Sequence, residues 1–345
     1  MQKTTLWRRL QHSRTALLVL VLVVLTIVTV IISSGVFSGA PLSTMVTSGF
    51  MSQGNLYNIF NNLIFQCVIL CGLTGLLIGG NIDLSVAGQA TLATLIFAKI
   101  CAGTPLPWGI AAIIALLFGA FCGLVNTFLI NALHFPPFIA TIGMVSVYSG
   151  LSNIWTQSAN IQITRDGFLA IGVASFGVLP ALFILALVIM AIYQFILLKT
   201  PFGRSIYMAG GNMHAARLSG LNPNRIRMTL YINNGILAAF AGLTWAAKGK
   251  FASPSAFMTA GQDMRVISAA ILGGVAFHGG SGDIAGTFVA VLLLNVFQNM
   301  LDVLTVPPYW NVVAQGALLI LALILDYFST ERQKKLLQPN KATAD

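Results

Sequence analysis

Long uncharged stretches dominate the chain. No Asp, Glu, Lys or Arg occurs between Thr15 and Ile82, Ile100 and Thr164, Gly167 and Leu198, Met228 and Ala247, Val266 and Gly282, Ile284 and Leu301, or Val303 and Leu325. An ionised side chain is rarely tolerated at the bilayer centre, and about 20 apolar residues cross the hydrocarbon. The first two stretches therefore hold two spans each and the others one apiece, with a further short span between Asp83 and Lys99. The pattern predicts an all-α integral membrane protein of about ten transmembrane helices, at residues 15–33, 59–80, 84–100, 109–130, 136–156, 171–198, 229–247, 265–278, 284–303 and 310–328. The third and eighth are short and flanked by glycine. Irregular backbone at membrane depth must be buried in protein or line a cavity, so broken helices are expected near Asp83 and Asp283.

Composition agrees: 57% of the 345 residues are hydrophobic and 8% charged, against roughly 25% charged in soluble domains. Soluble enzymes, disordered chains and free nucleic-acid binders are excluded. Thirteen of the 18 basic residues lie in three segments: 1–14, 199–228 and 329–345. The positive-inside rule places all three in the cytoplasm, which six spans before the central segment and four after it satisfy. The net charge of +10 is thereby read as topology. The first run, Ala16 to Ile32, is long enough to favour a retained anchor over a cleavable signal. Cys67, Cys71, Cys101 and Cys122 sit in or beside apolar runs and read as small buried hydrophobes, with no disulfide framework and no metal cluster. No G-x-x-x-x-G-K-[ST] sequence is present, so this chain has no P-loop of its own, and the whole of 1–345 reads as one transmembrane domain.

Two regions echo one another. Gly79-Gly80-Asn81-Ile82-Asp83 and Gly279-Gly280-Ser281-Gly282-Asp283 share G-G-x-x-D, and Pro136-Pro137-Phe138 and Pro307-Pro308-Tyr309 follow them at different distances. A parallel duplication of spans 2–5 and 7–10 would leave this pattern; chance likeness between glycine-rich junctions is the other reading. Asp83, followed by Ser85, reads as a carboxylate that ties broken-helix ends through backbone N–H groups; a proton carrier or ion ligand is the alternative. The G-x-S-G within Gly279 to Gly282, next to His278, is the pattern of an intramembrane serine protease, but glycines on both sides of Ser281 suit a tight turn better.

Amides are frequent within the spans: Asn61, Asn62, Asn126, Asn153, Asn233, Asn234, Asn295, Gln298 and Asn299. Interhelical hydrogen bonding accounts for most of them. Together with the scarcity of charge they point to a polar, uncharged solute. In the central basic segment Asn212 is a good N-cap, Gly220 a good C′ residue, and Pro223 prevents continuation. A short helix from Met213 to Ser219 is expected, suited to a groove on another protein, unless the segment is an ordinary basic loop at the lipid surface.

Four blocks resemble the permease subunits of bacterial ABC importers for ribose, xylose, arabinose, galactose and related sugars. Gly80 to Gly88 is similar to G-G-I-D-L-S-V-G, departing at Asn81 and Ala87. Pro136 to Gly143 is similar to P-x-F-[IV]-A-T-L-G, Thr200 to Leu221 to a T-x-F-G-R…A-x-G-x-N…A-A…G-I loop, and Leu272 to Thr287 to L-G-G-x-x-x-x-G-G-x-G-x-x-x-G-T. Permeases for autoinducer-2 share the pattern.

The resemblance implies a transport subunit without catalytic residues or cofactor, in the bacterial inner membrane. ATP and Mg would sit on a partner ATPase docked around Gly203, Arg204, Asn212, Ala215, Ala216 and Gly220. A periplasmic or lipid-anchored binding protein would deliver a neutral sugar, a second permease, identical or paralogous, would complete the path, and no nucleic acid is involved. The residues expected along the path or at the broken helices are Asn62, Asp83, Ser85, Asn126, Phe138, Thr141, Asn234 and Asn295. The competing class is an ion- or proton-coupled secondary carrier using Asp83.

Overall fold

Gly119 and Gly123 let two helices approach until their backbones touch. A Cβ on Gly123 would run into the carbonyl of Tyr231, and one on Gly119 into that of Gly235. Small residues are what permit such contact in a membrane, where side chains gain no hydrophobic advantage over lipid. The helices they join, Trp108–Asn131 and Pro223–Gly249, form a closely packed pair in the computed structural model. It describes residues 14–33, 49–255, 257, 262–307, 309, 310, 313, 316, 317, 320 and 324.

In chain order the helices are α1 (Arg14–Ser33), α2 (Gln53–Ile78), α3 (Val86–Gly103), α4 (Trp108–Asn131), α5 (Pro137–Thr156), α6 (Asp166–Val173), α7 (Ala181–Lys199), α8 (Pro201–Gly211), α9 (Met213–Leu218), α10 (Pro223–Gly249), α11 (Gln262–Leu272) and α12 (Ile284–Val303). Strand content among the described residues is confined to two two-stranded pieces. Ile161–Gln162 pairs antiparallel with Phe251–Ala252, and Ser175–Phe176 forms a hairpin with Leu179–Pro180. Seven of these helices, α1 to α5, α7 and α12, are long and apolar enough to cross a membrane. α10 is longer than any of them at 27 residues, about 40 Å at 1.5 Å per residue, and carries Asn233 and Asn234 in its middle.

Local chemistry sets the helix ends. Ser52 caps α2, its Oγ accepting from the amide of Asn55 at 3.3 Å. Proline occupies the first turn of α5, α8 and α10, where its missing N–H costs nothing. Asn222 caps α10 by accepting from the amides of Asn224 and Arg225. Along α2 every residue from Leu63 to Ile78 is buried, so α2 is the inner helix, packed against α10, α7, α12 and α11. α4 and α5 turn large apolar side chains outward, with Leu117 65% and Ile154 78% exposed. A surface of this kind is stable against lipid or another protein, not against water.

The structure amends several expected boundaries. The span placed at 171–198 begins later. Asp166–Val173 is a separate short helix, and the Ser175–Pro180 hairpin around Gly177 (φ +62°) intervenes before α7. The third span is a continuous 18-residue helix, so the break near Asp83 is the segment 79–85 ahead of it. The eighth is short as expected, α11 ending at Leu272 with turns through Gly279 and Gly280 (φ +87° and +80°) before α12. The central basic segment is two helices, α8 and α9. The tails 1–13 and 329–345, Pro308, much of the segment between the first two spans, and most of the span at 310–328 lie outside the described residues.

Candidate functional site

Two polar sites stand out, at different levels of the bundle. The first is the junction between α2 and α3. Asp83, Ser85, Gln89, Asn126 and Asn234 are all fully buried there. Asp83 Oδ1 accepts from the Ser85 amide at 2.8 Å and from Ser85 Oγ at 2.6 Å. Its Oδ2 accepts from Gln89 Nε2 at 2.9 Å and Asn234 Nδ2 at 3.0 Å. Asn126 Nδ2 donates to Ser85 Oγ at 2.9 Å and reaches both carboxylate oxygens at 3.3–3.4 Å. A single carboxylate thus ties the broken junction to α3, α4 and α10. The Tyr231 hydroxyl adds a 2.7 Å bond to the carbonyl of Ile82. A buried carboxylate is tolerable only with donors converging on it, and here every partner is a donor.

At the same end of the bundle the two G-G-x-x-D segments touch. The Gly280 amide donates to the Ile78 carbonyl at 2.8 Å, and a Cβ on Gly279 would sit 2.7 Å from the Cα of Gly80. The end of α8 wedges between them: a Cβ on Gly210 would overlap the Ile78 carbonyl, and one on Gly280 would lie 2.7 Å from the Cα of Gly211. Tyr207 Oη donates to the Gly282 carbonyl at 2.7 Å. Asp283 caps α12, its Oδ1 accepting from the Gly286 amide at 2.6 Å. Three glycine pairs from distant parts of the sequence form one backbone-to-backbone knot.

The second site is a cavity of about 390 Å³ toward the other end, between α2, α10, α11 and α12. Asn61, Asn62 and Gln66 of α2 face Gln262 and Arg265 of α11 and Asn295, Gln298, Asn299 and Asp302 of α12. Ile64, Phe65, Thr244, Trp245, Lys248 and Phe257 complete the wall.

Residues 67–323 match the family described as "branched-chain amino acid transport system / permease component". The chain belongs to this permease family. Among curated proteins the permease is 31% identical over 300 residues to the ribose import permease protein RbsC of Bacillus subtilis, covering 85% of this chain and 90% of that one. It is 29% identical to the galactose/methyl galactoside import permease protein MglC of Escherichia coli (83% and 90% covered). Identity to the autoinducer 2 import system permease protein LsrC of Salmonella paratyphi B is 30% (84% and 82% covered). No solved structure matches it.

The permease separates the residues expected along one path. Asn62 and Asn295 line the cavity. Asp83, Ser85, Asn126 and Asn234 come together, but in the sealed junction and away from the cavity wall. Phe138 and Thr141 belong to neither site. Phe138 is half exposed on the outer face of α5, and the Thr141 hydroxyl donates to the Pro137 carbonyl of its own helix at 2.9 Å. That back-bond is how a lone hydroxyl is satisfied where water is absent. In the central segment Asn212 caps α9, accepting from the Ala215 amide at 3.0 Å, and Gly220 takes φ +81° beyond its end. Arg204, Asn212, Ala215 and Gly220 are exposed, whereas Gly203 and Ala216 are buried against the protein. Ser281 is exposed in a turn closed by the Ala276 amide on its carbonyl.

The cavity's Gln66, Trp245, Gln262 and Arg265 were missed from sequence. A signal existed: Asn295, Gln298, Asn299 and Asp302 fall at helical spacings i, i+3, i+4 and i+7, which is one face of α12. Gln89, the further partner of Asp83, lies one turn beyond Ser85.

Proposed function

We propose that this permease is the membrane subunit of an ATP-driven importer of a neutral sugar or sugar-like molecule. A separate ATPase chain carries ATP and Mg, and a binding protein outside the membrane delivers the solute. The observation that carries the reading is the glycine knot. α9 stands at the surface, with Leu218 90% exposed, and the adjoining α8 meets both broken-helix junctions backbone to backbone at Gly80, Gly210 and Gly280. Glycine contacts leave no soft side chain to absorb a displacement. A push on α9 is passed through α8 to the starts of α3 and α12.

In this reading segment 199–228 and both termini face the cytoplasm, following the basic residues, and the amide-lined cavity faces the outside. A second permease, identical or paralogous, completes the path in the bacterial inner membrane. The sugar assignment follows the ribose, galactose and autoinducer 2 permeases to which the chain is similar. Asp83 favours this class over a proton- or ion-coupled carrier, because its carboxylate is fully engaged and sealed from the cavity.

Reconstitution with an ABC ATPase and a sugar-binding protein from the same organism tests the proposal. ATP-dependent accumulation of a neutral sugar is expected, and it should be lost in Gly220→Trp while membrane insertion is retained. Gradient-driven uptake by the chain alone would overturn the reading.

A further inference from the structure

The amides of the cavity are bonded differently from those around Asp83. Gln66 Nε2 donates to Gln262 Oε1 at 3.3 Å, Asn295 Nδ2 to Gln66 Oε1 at 3.4 Å, and Lys248 Nζ to Asn62 Oδ1 at 3.5 Å. Protein hydrogen bonds centre near 2.9–3.0 Å, so each of these is slack. Gln66 and Asn295 are nonetheless almost wholly buried. A buried amide chain at long spacing gives up little when a hydroxyl, at once donor and acceptor, enters between its members.

Of the charges in the wall, Arg265 is engaged within the protein, while Lys248 has, among the described residues, only the slack contact to Asn62. Arg265 Nη1 donates to Gln298 Oε1 at 2.5 Å and feels the favourable charge of Asp302. Its Nε is buried and finds no acceptor among the described residues.

Aromatic rings supply the apolar side. Phe65 and Phe257 stack at 4.6 Å and 3°, and Trp245 meets Phe257 edge-on at 5.1 Å. Rings next to amides suit a molecule with a C–H face and a hydroxyl edge.

We infer that this cavity is a binding site for a neutral monosaccharide within a single permease chain. Gln66, Gln262 and Asn295 hydrogen-bond its hydroxyls, and Trp245, held edge-on against the buried Phe257, packs on its apolar face. The inference rests on the sugar-importer reading and assigns it a site.

Thiol protection on the full chain in nanodiscs tests it. The four native cysteines are buried, so Asn62→Cys at the cavity mouth introduces a single accessible thiol. Ser158→Cys, exposed on a loop outside the cavity, is the control. D-ribose, D-galactose or D-xylose should slow maleimide labelling of Asn62→Cys but not of Ser158→Cys, at matched osmolarity. Adding Asn295→Ala should weaken that protection about three- to tenfold, the scale of one neutral hydrogen bond, and Trp245→Ala should weaken it as well. Protection by none of the three sugars, equal slowing at Ser158→Cys, or protection by L-leucine in place of a sugar would overturn the inference. The two readings fail separately. Absence of ATP-dependent sugar uptake by the wild-type complex refutes the importer reading, whereas uptake with an unprotected cavity refutes this site alone.

Discussion

The amide of Gly280 hydrogen-bonds the carbonyl of Ile78 at 2.8 Å, joining the last turn of α2 to the loop ahead of α12. The bond uses a carbonyl at a helix C-terminus that has no partner within its own helix. Gly210 closes over the same carbonyl, leaving room for neither a side chain nor water. The arrangement makes the knot a rigid point between the segment bearing α9 and the inner helices.

Gly210→Val is therefore expected to disturb the fold. The added atoms have only backbone to displace, and overpacking of this kind costs about 1–3 kcal/mol or more. Thermal unfolding in detergent should show a lower midpoint than wild type. Gly143→Ala is the control, because a Cβ there meets nothing within 4 Å; replacing glycine within α5 should change stability by less than about 1 kcal/mol.

Asp83→Asn converts one acceptor oxygen into a donor amide facing the Ser85, Gln89, Asn126 and Asn234 donors. Each donor left unsatisfied in a buried site costs about 1–3 kcal/mol. The variant should be poorly expressed and less stable, and whatever folds should still respond to ATP. A variant of normal stability that lost only gradient-driven transport would instead point to a coupling carboxylate.

Leu218→Asp leaves the fold unchanged, since the side chain is 90% exposed and most surface substitutions shift stability by no more than about 0.5 kcal/mol. Co-purification with the ATPase and ATPase stimulation should both fall. Unchanged co-purification would move the docking surface away from α9.

Tyr231→Phe removes the hydroxyl that bonds the Ile82 carbonyl at 2.7 Å while keeping the ring between α4 and the junction. A loss of about 1 kcal/mol is expected in denaturant or heat titrations. An unaltered midpoint would mean that water replaces the phenol at Ile82.

The membrane class, the approximate spans and the importance of the segments around Asp83 and Asp283 were legible because a bilayer imposes rules on one residue at a time. A charge is costly wherever it lies, and a span needs a set number of apolar residues. The cap at Asn212 and the stop at Gly220 were legible for the same reason, being local backbone chemistry. The hairpin before α7 was not, since Val173 to Leu182 carries no charge to mark the break.

Pairing across the bundle had to come from tertiary structure. Asn126 and Asn234 look like any other amides in a span until α4 and α10 approach closely enough at Gly119, Gly123 and Gly235 to aim both at Asp83. Nothing in the sequence joins Gly210 to Gly80 and Gly280 until the fold closes them on one another. Asn62 and Asn295 were expected on a path together with Asp83, yet they line a cavity separate from it. By itself the sequence determined which residues could not face lipid. Only the fold decided which of them seal a junction and which open onto a cavity, because that depends on helix rotation and backbone approach, and both are set by contacts between residues far apart in the chain.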